Sequence, residues 1–369
     1  MRRLSQKESG GYYTPDPVVT SLLKWAIRHE EDRLLDPSCG DGRFIAGHRN
    51  AVGIEQDLPA TQTAISRAPW ALVHEGDFFS WASETAERFD CAAGNPPFIR
   101  YQTFKGEVRE RAITLCAGLG ADFSGLASSW APFLVAAASL LKPGGRMAFV
   151  VPAEIGHAPY AAPLLEYLVS RFVTIHIVAV RSKLFPELSE DCWLLYTEGF
   201  GGRTQEIRFS VLDAFRPMSR PPREHVRVNV QEWRNDWNRR LRPYLMSQHA
   251  RDLYRRISGE EGAPRLGDLA TVGIGYVSGA NDFFHLRPSD AEKWQVPAAL
   301  LHPSVRNGRA LPPFRVTAGV VARWKRNDDP ILLLRLPKTN DLPRAVRRYL
   351  DTEEGQQARQ AYKCRVRDP

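Results

Sequence analysis

The sequence predicts a doubly wound α/β domain followed by a second, basic domain. Three observations carry this. Short apolar segments recur through the first half, each running into an acid or an asparagine: Leu34-Leu35-Asp36, Ala51-Val52-Gly53-Ile54-Glu55, and Phe89 to Gly94 followed by Asn95. Runs of that length between turn residues read as buried strands. A turn containing Gly40 and Gly42 follows the first of them, where a βα unit folds over. Third, charge is unevenly spread. Residues 1–200 carry 19 Lys+Arg against 23 Asp+Glu, and residues 201–369 carry 31 against 19, within a net charge of +8. A near-neutral half followed by an arginine-rich half suggests a catalytic domain joined to a polyanion-binding one.

A chain of 369 residues suggests two domains. Arg220-Pro221-Pro222-Arg223 reads as the linker, giving domains 1–222 and 223–369. The apolar fraction of 43% supplies sizeable cores. The five cysteines, Cys39, Cys91, Cys116, Cys192 and Cys364, are widely spaced and form no Cys-x-x-Cys pair, and the histidines do not cluster. That argues against a disulfide framework or a metal site and for a reducing, cytoplasmic setting. The N-terminus lacks an apolar signal region, and no apolar run approaches the roughly 18–20 residues of a membrane span.

In chain order, Pro15 and Pro17 hold the opening segment extended, and a helix is expected from Val18 to His29 on the spacing of Val19, Leu22, Leu23, Ala26 and Ile27. A strand ends at Asp36, and a helix is expected to start near Gly42. The glycine turn is not Gly-x-Gly-x-x-Gly, because Ile45 holds the third position. Asp36 and Asp41 would repel a pyrophosphate and suit a cationic ligand. Glu55 ends the second strand 19 residues after Asp36, near the roughly 20-residue offset at which an acid binds ribose hydroxyls. Trp70 to Phe79 is a third strand and loop, where Asp77 is placed to accept from an adenine amino group and Phe78 to pack on that ring. Acids at three successive strand ends, with no phosphate-binding loop, point to S-adenosylmethionine, whose sulfonium and ammonium groups are positive.

The fourth strand, Phe89 to Gly94, delivers Asn95-Pro96-Pro97-Phe98. Ligands of open α/β sheets bind beyond the carboxyl ends of strands. Two prolines stiffen the backbone and remove two N–H donors, which leaves carbonyls free to accept. Asn95 adds an amide oxygen and Phe98 a flat apolar face, a combination suited to a planar ring that carries an amino group. A simple turn is the competing reading. Further on, a helix is expected over Leu126 to Leu141, ended by Lys142-Pro143-Gly144-Gly145, then a strand from Arg146 to Pro152, a helix from Leu164 to Ser170, a strand from Val173 to Val180, and a hairpin leading into Cys192 to Tyr196.

Tyr13-Thr14-Pro15, Asp36 to Gly42, Glu55, Gly76 to Phe79 and Asn95-Pro96-Pro97-Phe98, in that order, resemble the gamma-class adenine-N6 DNA methyltransferases of the TaqI type. The resemblance covers about residues 10–200. It implies a Rossmann-like class I S-adenosylmethionine-dependent methyltransferase domain and a C-terminal target-recognition domain. It also implies that Tyr13, Thr14, Pro15, Asp36, Pro37, Ser38, Gly40, Glu55, Asp77, Phe78 and Asn95 line the cofactor. Asn95, Pro96, Pro97 and Phe98 would hold a flipped-out adenine, and Phe185 would stack on it; a core phenylalanine is the competing reading for Phe185. Gly273 to Phe284 resembles the opening of the recognition domain, with a glycine-rich hairpin as the competing reading. The implied substrate is double-stranded DNA, with a restriction endonuclease as a possible partner. Methylation of RNA or of a protein glutamine is one alternative, and a catalytically silent DNA-binding subunit is another.

Overall fold

The first unit is organised on one mixed sheet of nine strands in the order β3-β2-β1-β4-β5-β7-β6-β8-β9. The computed structural model describes residues 13–100, 103–124, 127–185, 190–260, 262–271, 273, 278–306, 308–337, 341–361 and 364–365. Strands β1 (Leu34–Asp36), β2 (Ala51–Glu55), β3 (Leu72–Glu75), β4 (Phe89–Gly94) and β5 (Leu141–Pro152) are mutually parallel. β6 (Phe172–Val180) is reached through β7 (Cys192–Phe200), which runs antiparallel to both β5 and β6. This is a doubly wound, Rossmann-like sheet. The order reverses between β1 and β4, so the crevice for a ligand opens at their carboxyl ends.

The strands form where the sequence expects them because their residues are apolar on both faces. Leu34, Leu35, Cys91, Ala92 and Ala93 are all fully buried between layers of helices. Helices α1 (Asp16–Ala26), α2 (Leu58–Arg67), α3 (Phe78–Glu84), α4 (Gly106–Gly118), α5 (Trp130–Ser139) and α6 (Ala161–Arg171) complete the layers. α1 starts on Pro15, whose carbonyl accepts from the N–H groups of Val18 and Val19.

Three expectations are corrected. The helix near Gly42 does not form; only a single turn, Ile45–Gly47, follows. Gly40 and Gly42 have φ of +55° and +87°, outside the right-handed helical region. The helix expected over Leu126 to Leu141 spans Trp130–Ser139, and Lys142-Pro143-Gly144-Gly145 belongs to β5. The sheet absorbs that segment as a bulge: Phe89 pairs with Leu141 but Cys91 with Arg146, and Gly144 turns at φ +79°. Finally, the helix expected from Val18 to His29 spans Asp16–Ala26. β8 (Glu206–Leu212) follows the hairpin.

The chain divides into compact units Met1–Glu261 and Gly262–Pro369, so the boundary expected at 222/223 falls inside the first unit. β9 (Val226–Asn229) pairs with β8, and Val228, Val230, Trp233, Trp237, Leu241 and Tyr244 enter the same core as the sheet. The proline pair at 221–222 is therefore a bend between strands. The second unit is a small α/β assembly on a three-stranded antiparallel sheet of His285–Leu286, Leu332–Leu334 and Leu301–Pro303. Its core gathers Leu286, Val296, Leu334 and Val346, and Phe283 stacks on Tyr349 with ring centroids 4.6 Å apart. Residues 272 and 274–277 of the glycine-rich segment lie outside the described residues, and Asn281–Phe284 is a short helix. Among the described residues, no helix is long and apolar enough to cross a membrane.

Candidate active site

The site is assembled at the carboxyl edge of β1, β2, β3 and β4. The turn after β1 is tied to its neighbours on both sides. Cys39 N donates to Ile54 O at 2.9 Å, and Gly40 N donates to Glu55 Oε2 at 2.9 Å. On the other side, Ser38 Oγ donates to Asn95 O at 3.4 Å. Gly76 N donates to Glu55 O at 2.8 Å and brings in the end of β3. Asp36, Ser38, Gly40, Glu55, Asp77 and Asn95, distant in sequence, thus meet around one crevice.

Asp36 is 1% exposed and lies against the backbone of β4, since a Cβ at Gly94 would stand 2.6 Å from its Oδ1. Ser38 N donates to Oδ1 at 3.2 Å, while Oδ2 has no hydrogen-bond partner among the described residues. Burial raises the Asp36 carboxyl to about 8, and the neighbouring Glu55 and Asp41 charges push the same way. Burial also raises Glu55, against the opposing hydrogen bonds from Asp57, Gly40 and Gln56 N–H groups. Asp41 does not contribute the free charge expected of it. Arg67 Nη1 stands 2.5 Å and Arg43 Nε 3.1 Å from Asp41 Oδ2, so its charge is answered internally.

Asp77 caps α3, accepting from Ser80 N at 2.9 Å and Ser80 Oγ at 3.0 Å. Phe78, expected against a ligand ring, turns inward instead. It is 2% exposed and stacks on Phe133 at 5.2 Å, because the residue after an N-cap here points into the core layer. Pro37 is buried behind the turn. Tyr13 is 55% exposed, Thr14 is buried and Pro15 half-buried. Arg43 ties this segment to the turn: its guanidinium lies 5.4 Å from the Tyr13 ring centroid and donates to Thr14 O at 3.3 Å and Asp16 Oδ1 at 3.2 Å. Phe185 is 6% exposed and lies in a core cluster with Leu184, while 186–189 lie outside the described residues.

The tetrad is pinned at its two flanking carbonyls. Asn95 O is held by Ser38, as above, and Pro97 O accepts a short hydrogen bond from Ser129 Oγ. Ser129 Oγ in turn accepts from Ile99 N at 3.0 Å, and Ser129 N donates to Ile99 O at 3.0 Å. Between them, the Pro96 carbonyl has no donor among the described residues. Phe98 is half-buried and packs against both layers. Ser129 and Arg43 went unnoticed in the sequence. A serine pair before an apolar helix is a helix-start signal, and a lone arginine after a glycine turn carries no signal by itself.

Two family models match this chain: the Eco57I restriction-modification methylase over residues 48–185, and the C-terminal domain of the type II methyltransferase M.Eco57I over residues 238–369. Over these two stretches the chain is similar to restriction-modification methylases. The type II methyltransferase M.XamI of Xanthomonas campestris pv. amaranthicola is 25% identical over 293 residues, which is 74% of this chain and 52% of that protein. M.TthHB8I of Thermus thermophilus is 30% identical over 163 residues, 40% of this chain and 36% of that protein. The chain spans about a third to a half of the length of these curated relatives. The fold is also that of the type IIG restriction endonuclease BpuSI, whose crystal structure matches with a TM-score of 0.51 and 16% identity, covering 98% of this chain and 48% of that one.

The acceptor set at this edge suits S-adenosylmethionine in its chemistry. The Glu55 and Asp77 carboxylates are of the kind that ribose hydroxyls and an adenine amine call for, and Asp36 Oδ2 is buried without a hydrogen-bond partner among the described residues. At Gly40 an added Cβ would meet nothing within 4 Å, so the turn opens onto space beside its backbone. Cys39 and Cys91 are buried, and burial pushes both thiols far up, so neither is a nucleophile.

Proposed function

We propose that this chain methylates the N6 amino group of an adenine in double-stranded DNA, as the modification activity of a restriction-modification system. The observation that carries the proposal is the tetrad at the carboxyl end of β4, with Asn95 O and Pro97 O tied down and the Pro96 carbonyl left available between them. Bound S-adenosylmethionine supplies the methyl group, held by Asp36, Ser38, Gly40, Glu55 and Asp77, with Tyr13, Thr14 and Pro15 beside the turn. The target nucleotide leaves the duplex stack at a cost of a few kcal/mol. Asn95 Oδ1 and the Pro96 carbonyl would then accept the two N6 hydrogens, which orients the amine for methylation, and one of those protons is released to solvent once the new N–C bond has formed. Phe98 offers its face to the base. The protein's contribution is orientation and placed dipoles rather than a covalent intermediate.

The test is transfer of tritiated methyl from S-adenosylmethionine to duplex DNA, RNA and protein, with digestion of the labelled product to nucleosides. Label in N6-methyl-2′-deoxyadenosine from duplex DNA is the expected result. Label confined to RNA or to glutamine sinks the DNA assignment, and no label in any substrate leaves a DNA-binding subunit. A restriction endonuclease as partner belongs to the same proposal and is checked by co-purification from the native host.

A further inference from the structure

We infer that a basic recess on the first unit, between His157 and the Asn238–Arg240 turn, holds one phosphodiester of the DNA backbone; this rests on DNA being the substrate. The recess is about 200 Å³ and is walled by His157, Pro159 and Ala162 on one side and by Asn238, Arg239 and Arg240 on the other. It lies on the substrate edge of the sheet. Gly94, the last residue of β4, pairs with Phe149 of β5, and β5 ends at Pro152, a single short turn before His157. The two regions are joined through packed side chains. Trp130, next to the Ser129 that pins Pro97, donates from Nε1 to Tyr160 Oη at 3.3 Å, and Tyr160 follows Pro159 of the recess wall.

The turn at Asn238 and Arg239 is held in an uncommon backbone conformation. Asn238 and Arg239 both sit in the left-handed region, at φ +48° and +55°, where residues with a Cβ are uncommon. Such strain persists only where surroundings over-determine it, and it gathers at functional sites. Here Arg239 N donates to Trp233 O at 2.8 Å, Arg240 N to Trp237 O at 2.9 Å and Leu241 N to Gly156 O at 2.8 Å. Trp233 and Leu241 are fully buried, and Trp237 nearly so. The result is a rigid corner that presents successive arginines. Arg239 is 3.2 Å from Glu166, which also pairs with Arg234. Arg240 and Arg242 are exposed, and among the described residues no carboxylate pairs with either. Burial, with the Arg242 and Arg240 guanidinium groups, holds the His157 imidazole below its usual range. At a recess beside the substrate edge, the Arg240 guanidinium, with no carboxylate partner among the described residues, matches a phosphate, which arginine meets with a fork of donors.

Fluorescence anisotropy of a labelled duplex over a series of salt concentrations tests this, using the full chain and its Arg240→Gln, Arg240→Lys and Arg88→Gln variants. Arg88 is also exposed but adjoins the amino end of β4, on the opposite edge of the sheet. Losing one phosphate contact should reduce the slope of log K against log salt by about one. That reduction is expected for Arg240→Gln, with wild-type slopes for Arg240→Lys and Arg88→Gln. Equal slopes for wild type and Arg240→Gln, or the same loss in Arg88→Gln, overturn the site. Inorganic phosphate that displaces the duplex no better than chloride at equal ionic strength supports a backbone phosphodiester; selective displacement would mark a free-anion site and overturn it. Binding is read separately from chemistry, so an Arg240-dependent slope without methyl transfer keeps the phosphate site and sinks the enzymatic proposal.

Discussion

At the scale of single residues, Asn95 and Asp36 make opposite demands on the same crevice. In the proposed reaction Asn95 acts through its side chain, while its backbone carbonyl, held by Ser38, survives substitution. Asn95→Ala should therefore leave the melting temperature and cofactor affinity nearly unchanged and lower single-turnover methyl transfer on the order of 100–1,000-fold. A folded variant that methylates at close to the wild-type rate would end the catalytic assignment. Asp36 is a buried acid whose carboxyl titrates near 8 instead of the model-peptide value of about 3.9. A raised acid binds its proton in the folded state and not in the unfolded one between those values. Stability should consequently fall as pH rises from about 4 to about 8. Urea melts of wild type and Asp36→Asn across that window measure it, and the variant should lose part of the slope. A cation bound beside Asp36 favours its ionised form, so cofactor binding near pH 7 should release protons; calorimetry in buffers of different ionisation enthalpy would detect none if Asp36 faces elsewhere.

At the scale of elements, the turn after β1 separates two glycines that look alike in the sequence. Gly42 sits at φ +87°, and a Cβ there would stand 2.8 Å from Ala64 Cα of α2. Gly40, at φ +55°, has nothing within 4 Å of an added Cβ. Left-handed backbone costs a residue with a Cβ roughly 1–2 kcal/mol. Gly40→Ala should lose about that much stability and mainly weaken cofactor binding by filling the open space. Gly42→Ala adds a backbone clash and should lose clearly more stability. Thermal melts beside cofactor titrations distinguish them, and an equal loss in both variants would contradict the assignment of the open side to the ligand. The helix start at Ser129 supports the tetrad from the far side.

At the scale of the whole molecule, the position of the domain boundary decides which fragments fold. Residues 226–245 add a strand, two tryptophans and a tyrosine to the first core. Fragment 1–261 should melt cooperatively and keep cofactor affinity, while fragment 1–222 should be strongly destabilised, since removing a buried Trp side chain alone costs about 3–5 kcal/mol. Circular-dichroism melts of the two fragments check this, and equal stability would return the boundary to 222. If the second unit carries much of the DNA contact, the 1–261 fragment should also bind duplex DNA more weakly and with a shallower salt dependence than the full chain.

The sequence by itself determined the strands and their terminal groups. Apolar runs ending in Asp36, Glu55 and Asn95 are local patterns, and a strand buried on both faces must be apolar throughout. The acids of the crevice, the tetrad and the charge asymmetry were legible for the same reason. Only the tertiary structure decided which of those groups are available. Asp41 carries a formal charge in the sequence, yet Arg67, distant along the chain, neutralises it in the fold. Phe78 is one residue from Asp77, an acid expected at the ligand, yet the capping geometry at Asp77 sends its ring into the core. The boundary at 261 was hidden because the proline pair marks a bend as readily as a linker, and strand pairing between β8 and β9 joins residues with no local signal that they meet. Hydrogen-bond partners, ion pairs and burial are long-range properties of the folded chain, and they fix the roles that residue type alone leaves open.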